Sequence, residues 1–209
     1  MINQLYSDTE ISVIRDNVRG RLSEYRFKHT LGVEQMAIRL GEIYMPTRVS
    51  ELRIAALLHD ISKELDMNVQ IQILDKCEKV NKKQRCVPQA LHSFSAVAVI
   101  LKDFPEYATE DILSAVENHT LGSPEMNLFS EIIFLSDYIE EGRPYLQSAM
   151  VRSALFDKIN RAKNFEEKVT ALHFGTVYSI NNTLDSLSER GLLPDERSVK
   201  TKIYFEGLI

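Results

Sequence analysis

The sequence predicts an all-α protein, a bundle of helices. Apolar residues recur every three or four positions through most of the 209 residues, which is the period of an amphipathic helix rather than of a strand. Proline, glycine and capping residues divide the chain into segments of helical length. Packing such one-sided helices against one another buries their apolar faces, so a bundle is the expected architecture.

Four amphipathic segments account for the N-terminal part of the chain. Ser7 and Glu10 have the spacing of a capping box, which opens the first helix. Pro46 stops the second helix, and Ile73 and Cys77 share one face of the fourth. The expected helices cover residues 7–22, 25–44, 50–59 and 68–80.

The remainder of the chain divides in the same way after a lysine-rich loop. Thr109 is a capping residue for the helix that leads to His119. Gly191 and Pro194 stop the last long helix. Weak alternation in the tail, "KTKIYFEG", is consistent with a short extended piece at 200–207. The other expected helices cover residues 90–102, 128–139, 148–163 and 165–190.

Composition and charge argue against several classes of function. The net charge is −5, whereas a dedicated nucleic-acid binder usually carries a basic excess. The opening stretch "MINQLYSDTE" lacks the basic region and apolar core typical of a signal peptide, and the longest apolar run, residues 96–101, is far too short to cross a bilayer. Cys77 and Cys86 lack the spacing of a CxxC pair and are interpreted as unpaired thiols. We therefore expect a cytoplasmic protein with no nucleic-acid or membrane partner.

The chain has only five histidines, and four of them lie at or beside the buried stripe of a different predicted helix. A single buried histidine is usually a hydrogen-bonded core residue, and a single buried aspartate is usually a cap or an ion-pair partner. Six such groups directed inward from five helices are costly unless they are satisfied together, and metal ions would do so. These six residues are His29, His59, Asp60, His92, His119 and Asp137.

The order of these six residues resembles the H…HD…H…H…D pattern of HD-domain phosphohydrolases. The HD dipeptide alone is a weak signal, whereas the full ordered set in a helical chain is a strong one. The flanking words "YRFKHTLGV", "AALLHDISK", "VENHTLGSPEMN" and "EIIFLSDYIEEGRPY" resemble the bacterial symmetrical diadenosine tetraphosphate hydrolases of that superfamily. The resemblance runs from about Tyr25 to Tyr145, with weaker support through "INNTLDSLSERGLLPDE".

Two departures from the family pattern concern the nucleoside more than the metal site. After His92 the family commonly has small residues and proline, as in "HGPVGA", whereas this chain reads "HSFSAVA". A threonine often follows the Pro-Asp pair near the end, and here that position is Glu196. The resemblance implies one HD-type helical domain over 1–209, with an HD core at about 24–145 and C-terminal helices and a tail at 146–209 packed on it.

The resemblance also implies the reaction, the symmetrical hydrolysis of diadenosine tetraphosphate to two ADP by attack of a metal-bound hydroxide on a phosphoanhydride. The cofactor would be one or two divalent or mixed-valence metal ions, with iron favoured and manganese or cobalt open. Asp60 would bridge to a second ion completed by His92 and His119; with one ion only, those histidines would donate protons to phosphate oxygens. The first ion would take His29, His59, Asp60 and Asp137.

Other side chains near the motif have both a functional and a structural interpretation. Lys63 lies one turn beyond Asp60 and would contact a phosphate; without the motif it would be an exposed helix-end lysine. Arg143 is equally consistent with a bidentate phosphate contact and with a surface turn. For Arg26, a surface ion pair is favoured over assistance at the site, and Thr120 offers either a hydroxyl contact or a cap.

The segment "GLLPDE" matches family positions that contribute to the nucleotide pocket, although composition alone indicates only a helix stop. His173 lies outside the pattern and is interpreted as structural. The expected catalytic residues are Asp60, Lys63 and His92. The expected substrate contacts are His29, Asp60, Lys63, His92, His119, Thr120, Asp137, Arg143, Leu193, Pro194 and Asp195.

Two alternatives to this function stay open at the level of sequence. The first is another HD-type nucleotide phosphohydrolase, either a nucleotidase or a cyclic-dinucleotide phosphodiesterase. The second is a nucleotide-binding regulator without turnover, which ranks low because no metal ligand of the pattern is missing. In each case the partner is a small dinucleoside polyphosphate or nucleotide, and a homodimer stays open.

Overall fold

The structure, a computed structural model, describes residues 4–77 and 88–209, and these residues form ten α-helices and no strand. The all-α prediction is therefore confirmed. The helices are α1 (Asp8–Arg19), α2 (Glu24–Tyr44), α3 (Val49–Leu58), α4 (Met67–Asp75), α5 (Leu91–Asp103), α6 (Glu110–Asn118), α7 (Leu128–Ile139), α8 (Leu146–Arg161), α9 (Phe165–Glu189) and α10 (Glu196–Glu206).

Several helix starts that the sequence predicts are fixed by side-chain caps. The Ser7 hydroxyl accepts from the Glu10 backbone N–H at 3.3 Å, and Glu10 accepts from the Ser7 N–H at 2.8 Å, so the capping box is present. Thr109 caps α6 by accepting from the N–H of Ile112. These bonds satisfy backbone donors that the first helical turn leaves without partners.

The tail forms a helix, so the expectation of an extended piece at 200–207 is wrong. Asp195 accepts from the Arg197 N–H at 2.8 Å and so caps α10. Thr201 and Phe205, one turn apart, are fully buried where α10 packs on α9. This four-residue period decides the structure, whereas the alternation in the sequence depends on Ile203, which lies between Thr201 and Phe205 and is 63% exposed.

Two expectations fall partly or wholly outside the described residues. Helix α4 ends at Asp75, before the expected end at residue 80. Lys76 and Cys77 are described and not helical, and residues 78–80 lie outside the described part of the chain. Nearly all of the lysine-rich loop that contains Cys86 also lies outside the described residues. Cys77 is a free, partly buried thiol, as expected.

Helix α3 lies at the centre of the bundle and contacts α1, α2, α6 and α7. The last five residues of the helix, 54–58, are all apolar and fully buried. Burying each isoleucine or leucine side chain among them contributes about 1.5–3 kcal/mol to folding. A helical turn that is apolar all round belongs inside a core, so the residues that follow Leu58 emerge in the interior.

The C-terminal helices pack on this bundle, as predicted. Helices α8 and α9 pair with each other, both contact α7, and α10 packs on α9. The boundaries of the HD core and its extension stay a prediction. Within residues 4–77 and 88–209, no helix combines the length and hydropathy of a membrane span.

Candidate metal centre

The bundle brings the six predicted ligand residues together. His29 lies in α2, His59 and Asp60 follow α3, and His119 follows α6. All six side chains are at least four-fifths buried. The remaining two residues are His92, in the first turn of α5, and Asp137, near the end of α7.

One group of possible ligands consists of His29, His59 and Asp137. The Nε2 atom of His29 lies 3.0 Å from Asp137 Oδ1, and that of His59 lies 3.8 Å from the same oxygen. The three candidate ligand atoms all lie within 4.8 Å of one another. Two imidazoles and a carboxylate at this spacing could hold a first-row divalent cation.

A second group shares His59 and adds Asp60 and His119. Asp60 Oδ2 lies 3.5 Å from His59 Nε2, while Asp60 Oδ1 lies 3.4 Å from His119 Nε2. The two carboxylate oxygens thus face different histidines. His92 borders this group, because its Nε2 lies 3.3 Å from Asp60 Oδ1 and 3.1 Å from His119 Nε2.

The helix ends fix the orientation of two histidine rings. The Nδ1 atoms of His59 and His119 each lie 2.7 Å from a carbonyl three residues earlier, that of Ala56 and that of Val116. A carbonyl only accepts, so each Nδ1 carries the proton. In the neutral ring the lone pair is then on Nε2, which faces the cluster. Because Nδ1 of each ring donates to a carbonyl of the last helical turn, Nε2 of both rings is left free to bind a metal.

The residues fit a bound metal because three buried atoms at the centre have no hydrogen-bond partner in the described part of the chain. They are Nε2 of His29, Nε2 of His59 and Oδ1 of Asp60. An unsatisfied buried polar atom costs about 1–3 kcal/mol. Ligation of cations would satisfy all three at once.

Two arginine side chains lie beside these acidic and imidazole groups. Arg26 donates to Asp60 Oδ2 at 3.0 Å, and its side chain is only 22% exposed. Arg143 donates to the Asp137 carboxylate and, through Nε, to the Asp137 backbone carbonyl at 2.9 Å. Neither arginine therefore extends freely into solvent, and both face the centre.

Burial opposes the charge on Asp60 and Asp137, but neighbouring groups outweigh it. His59 and His119 hold the pKa of Asp60 well below its usual value. Arg143 and His29 do the same for the pKa of Asp137. Both carboxylates are thus ionised near neutral pH, as metal ligation requires.

His92 differs from the other histidines because Lys63 contacts it. The Lys63 ammonium lies 2.9 Å from His92 Nε2, and the Thr120 hydroxyl lies 3.0 Å from the same atom. Burial, reinforced by His119, lowers the pKa of His92 to about 2. Burial also lowers the pKa of Lys63. His92 is therefore neutral, and Lys63 is a partly buried cation beside it.

The segment from Leu193 to Asp195 does not enter the centre. Leu193 is 93% exposed, and Pro194 is exposed as well. Asp195 lies along a neighbouring cleft of about 520 Å³, lined also by Phe94, Glu196 and Arg197. The cleft adjoins α5 at Phe94, two residues after His92.

His173 is likewise away from the centre. Its Nδ1 lies 3.0 Å from the buried Glu131, which also accepts from the Thr176 hydroxyl at 2.7 Å. This arrangement agrees with the structural interpretation of His173.

The sequence interpretation missed Glu140. Its Oε1 lies 3.1 Å from His29 Nδ1, and the residue is only 2% exposed. Burial lowers the tendency of His29 to be charged, but Asp137 and Glu140 outweigh this effect and raise the pKa of His29 to about 9. The spacing of Asp137 and Glu140, three residues apart at the end of one helix, was the available signal.

Comparison with known proteins identifies the family. The HD domain family matches residues 26–142. A protein from Halalkalibacterium halodurans named symmetrical bis(5'-nucleosyl)-tetraphosphatase is 32% identical over 147 residues, which cover 69% of this chain and 76% of that protein. A protein of the same name from Staphylococcus aureus is 31% identical over 176 residues, covering 81% and 89%.

The fold agrees with a solved structure over nearly its whole length. A crystal structure from Clostridium acetobutylicum, described as a predicted HD superfamily hydrolase involved in NAD metabolism, matches with a TM-score of 0.77 and 26% identity. The match covers 97% of this chain and 98% of that one. HD domains bind divalent metals, and the His/Asp cluster could bind such an ion. The chain therefore belongs to the HD-domain family and is a hydrolase.

Proposed function

We propose that this protein hydrolyses diadenosine tetraphosphate symmetrically to two ADP in a metal-dependent reaction. The observation that carries the proposal is the convergence of two ligand groups on the shared His59, beside which lie three cationic side chains. Two relatives are named for this reaction. A polyanionic substrate needs both features, because its phosphate oxygens repel a nucleophile until their charge is offset.

In this proposal the six clustered residues hold one or two ions, with iron favoured and manganese or cobalt as alternatives. Bound ions would lower the pKa of a coordinated water and offset charge on the phosphate oxygens. Asp60 would serve both ions, since its two oxygens face different histidines. The ligands would be His29, His59, Asp60, His92, His119 and Asp137.

Lys63, Arg26 and Arg143 would bind the phosphate chain. The planar guanidinium of Arg143 already donates to Asp137, and its N–H groups could also donate to a phosphate oxygen. Lys63 would hold a phosphate against His92 and the Thr120 hydroxyl, which lie within 3.0 Å of each other. Asp60, Lys63 and His92 would be the catalytic residues, with His92 moving a proton if it is not a ligand.

The cleft at Asp195 would take one nucleoside. Phe94 lines the cleft but is only 2% exposed, and the Arg197 guanidinium lies 5.9 Å from the centroid of its ring. Glu196 lines the same cleft, so this departure from the family pattern falls where the nucleoside would bind. Leu193 and Pro194 stay predicted contacts of the substrate. The cytoplasmic location and a homodimer also stay predictions.

The test is product analysis with the metal-loaded protein. Purified protein is stripped, reloaded separately with iron, manganese and cobalt, and incubated with diadenosine tetraphosphate before the nucleotides are separated. The proposal expects ADP alone. AMP together with ATP, or no turnover with any of the three metals, would contradict it.

A second candidate is hydrolysis of another nucleotide, and the Clostridium acetobutylicum neighbour described as involved in NAD metabolism favours including NAD. The same metal centre would serve a phosphoanhydride, as in NAD, or a phosphate ester, as in a nucleoside monophosphate or a cyclic dinucleotide. A panel of NAD, a nucleoside monophosphate and a cyclic dinucleotide at equal concentration separates the candidates. A higher kcat/KM for one of these than for diadenosine tetraphosphate would favour the second candidate.

A further inference from the structure

We infer that Glu140 is a positioning residue that holds His29 as a metal ligand, and that Gly32 is required to let it do so. The inference rests on the proposed metal site. It concerns one carboxylate that lies outside the six-residue motif and has contacts on each side.

The two oxygens of Glu140 have separate partners. Oε1 lies 3.1 Å from His29 Nδ1, while Oε2 accepts from the Gly142 N–H at 2.5 Å. A carboxylate accepts only, so His29 Nδ1 carries a proton on this side. The other ring nitrogen, Nε2, lies toward Asp137 and Asp60 at 3.0 and 4.0 Å.

Glu140 thus does for His29 what backbone carbonyls do for His59 and His119. A charged acceptor on the far side of a ligating imidazole fixes its tautomer and strengthens its lone pair as a donor to the metal. His29 lies inside α2, where its Nδ1 is not bonded to a carbonyl of the helix end. It therefore needs an acceptor from another element, and Glu140, which directly follows α7, supplies it.

The approach of Glu140 to α2 depends on Gly32. A Cβ added at Gly32 would overlap Oε2 of Glu140 and lie 3.0 Å from its carboxyl carbon. Gly32 lies within α2, where glycine is usually less favourable than alanine by about 0.5–1 kcal/mol. A glycine in this position makes room for the carboxylate at the expense of helix propensity.

Helix α8 fixes the backbone of Glu140. Arg152 donates from one nitrogen to the carbonyls of Ile139 and Glu140, at 2.7 and 3.0 Å. The carboxylate is therefore held at both ends, by Arg152 through its main chain and by Gly142 through Oε2.

The test measures Mn²⁺ affinity directly, by electron paramagnetic resonance of the free ion during titration of stripped protein. Glu140→Gln keeps the shape of the side chain but replaces one accepting oxygen with a donating amide NH2 group. We therefore expect the affinity for Mn²⁺ to fall about 10- to 100-fold, as it does when other hydrogen bonds that support metal ligands are lost. Glu141→Gln removes the same charge from the next residue, which is 75% exposed, and should leave affinity unchanged.

A double-mutant cycle separates positioning from general destabilisation. Gly32→Ala alone should weaken Mn²⁺ binding, because its methyl group displaces the carboxylate. In a Glu140→Ala background the methyl group meets no carboxylate, so Gly32→Ala should change affinity less than about two-fold. Additive losses would assign Gly32 to packing and overturn that half of the inference.

Mn²⁺ affinity of Glu140→Gln and Glu140→Ala equal to that of Glu141→Gln would overturn the inference even if diadenosine tetraphosphate is cleaved. Conversely, a wild-type protein that binds Mn²⁺ through Glu140-supported His29 yet leaves the dinucleotide intact would contradict the proposed function alone. The two failures are therefore distinguishable.

Discussion

Individual residues at the centre are prepared for ligation by what lies behind them. His59 and His119 bond to helix-end carbonyls at 2.7 Å, and the lone pairs on Nε2 then face Asp60. The motif in the sequence specifies which residues meet. The hydrogen bonds on the far side of each ring decide which nitrogen is available.

Asp60→Ala should abolish metal binding while helical content stays near that of the wild type. Asp60 contributes an oxygen to one ligand group and lies within 3.5 Å of both His59 and His119, but it follows α3 and supports no helical hydrogen bond with its side chain. Elemental analysis and circular dichroism measure the two effects. Asp157→Ala, at an exposed position in α8, is the control; collapse of the helical signal in Asp60→Ala would indicate a purely structural role.

Lys63→Ala should keep the metal content and lower kcat/KM. Loss of a hydrogen bond to a charged group costs about 1.5–3 kcal/mol, which corresponds to roughly 10- to 100-fold in rate. Steady-state kinetics with the dinucleotide measure this, and Lys28→Ala, an exposed lysine of α2, is the control. Unchanged kinetics would remove Lys63 from the site.

The pH profile should report the same lysine. Burial lowers the pKa of Lys63 below its ordinary value of 10.5, so its positive charge is present at low pH and is lost as pH rises through that lowered pKa. In the profile of kcat/KM, which reports the free enzyme, the alkaline limb should therefore fall earlier than for an ordinary lysine. Lys63→Arg, which stays charged, should move that limb to higher pH; the same limb in both proteins would exclude Lys63 as the titrating group.

At the scale of elements, helix ends place several of the site residues. The last turn of helix α3 is fully buried and ends just before His59, so its C terminus brings that residue into the interior. At helix α10, the cap Asp195 and the nearby Arg197 line the cleft beside Phe94. The same residue thus begins a helix and faces the cleft proposed for a nucleoside.

Substitutions of Asp195 should separate these two roles. Asparagine is as good a cap as aspartate, whereas alanine costs about 0.5–2 kcal/mol. We expect Asp195→Asn to retain the free energy of unfolding in urea and Asp195→Ala to lose it by that amount. If the carboxylate also contacts substrate, both variants raise KM; a KM unchanged in Asp195→Asn would restrict Asp195 to capping.

At the scale of the whole molecule, most of the fold could be predicted from local signals. Caps such as Ser7 and Thr109 and the stop at Pro46 give the helix boundaries, because they act within one turn. The tail was mispredicted because its helix is selected by packing of Thr201 and Phe205 on α9, a contact with another element. Propensity within eight residues does not contain that information.

The candidate site divides in the same way. Its six clustered residues could be predicted because their type and order are unusual for buried positions. Glu140 could not, because a glutamate at a helix end is ordinary until α2 and α7 are packed and Gly32 admits it. The sequence likewise does not decide between the two interpretations of the turn residue Arg143, and only its contact with Asp137 places it at the centre.

The most direct test of the central claim is anomalous diffraction from a crystal of the metal-loaded protein, recorded at the absorption edge of the bound metal. The account predicts one or two peaks among the six side chains, roughly 2.0–2.2 Å from nitrogen and oxygen ligands that include His59 Nε2 and Asp60 Oδ1. Loaded protein with its only anomalous peaks elsewhere, or with none, would contradict the account.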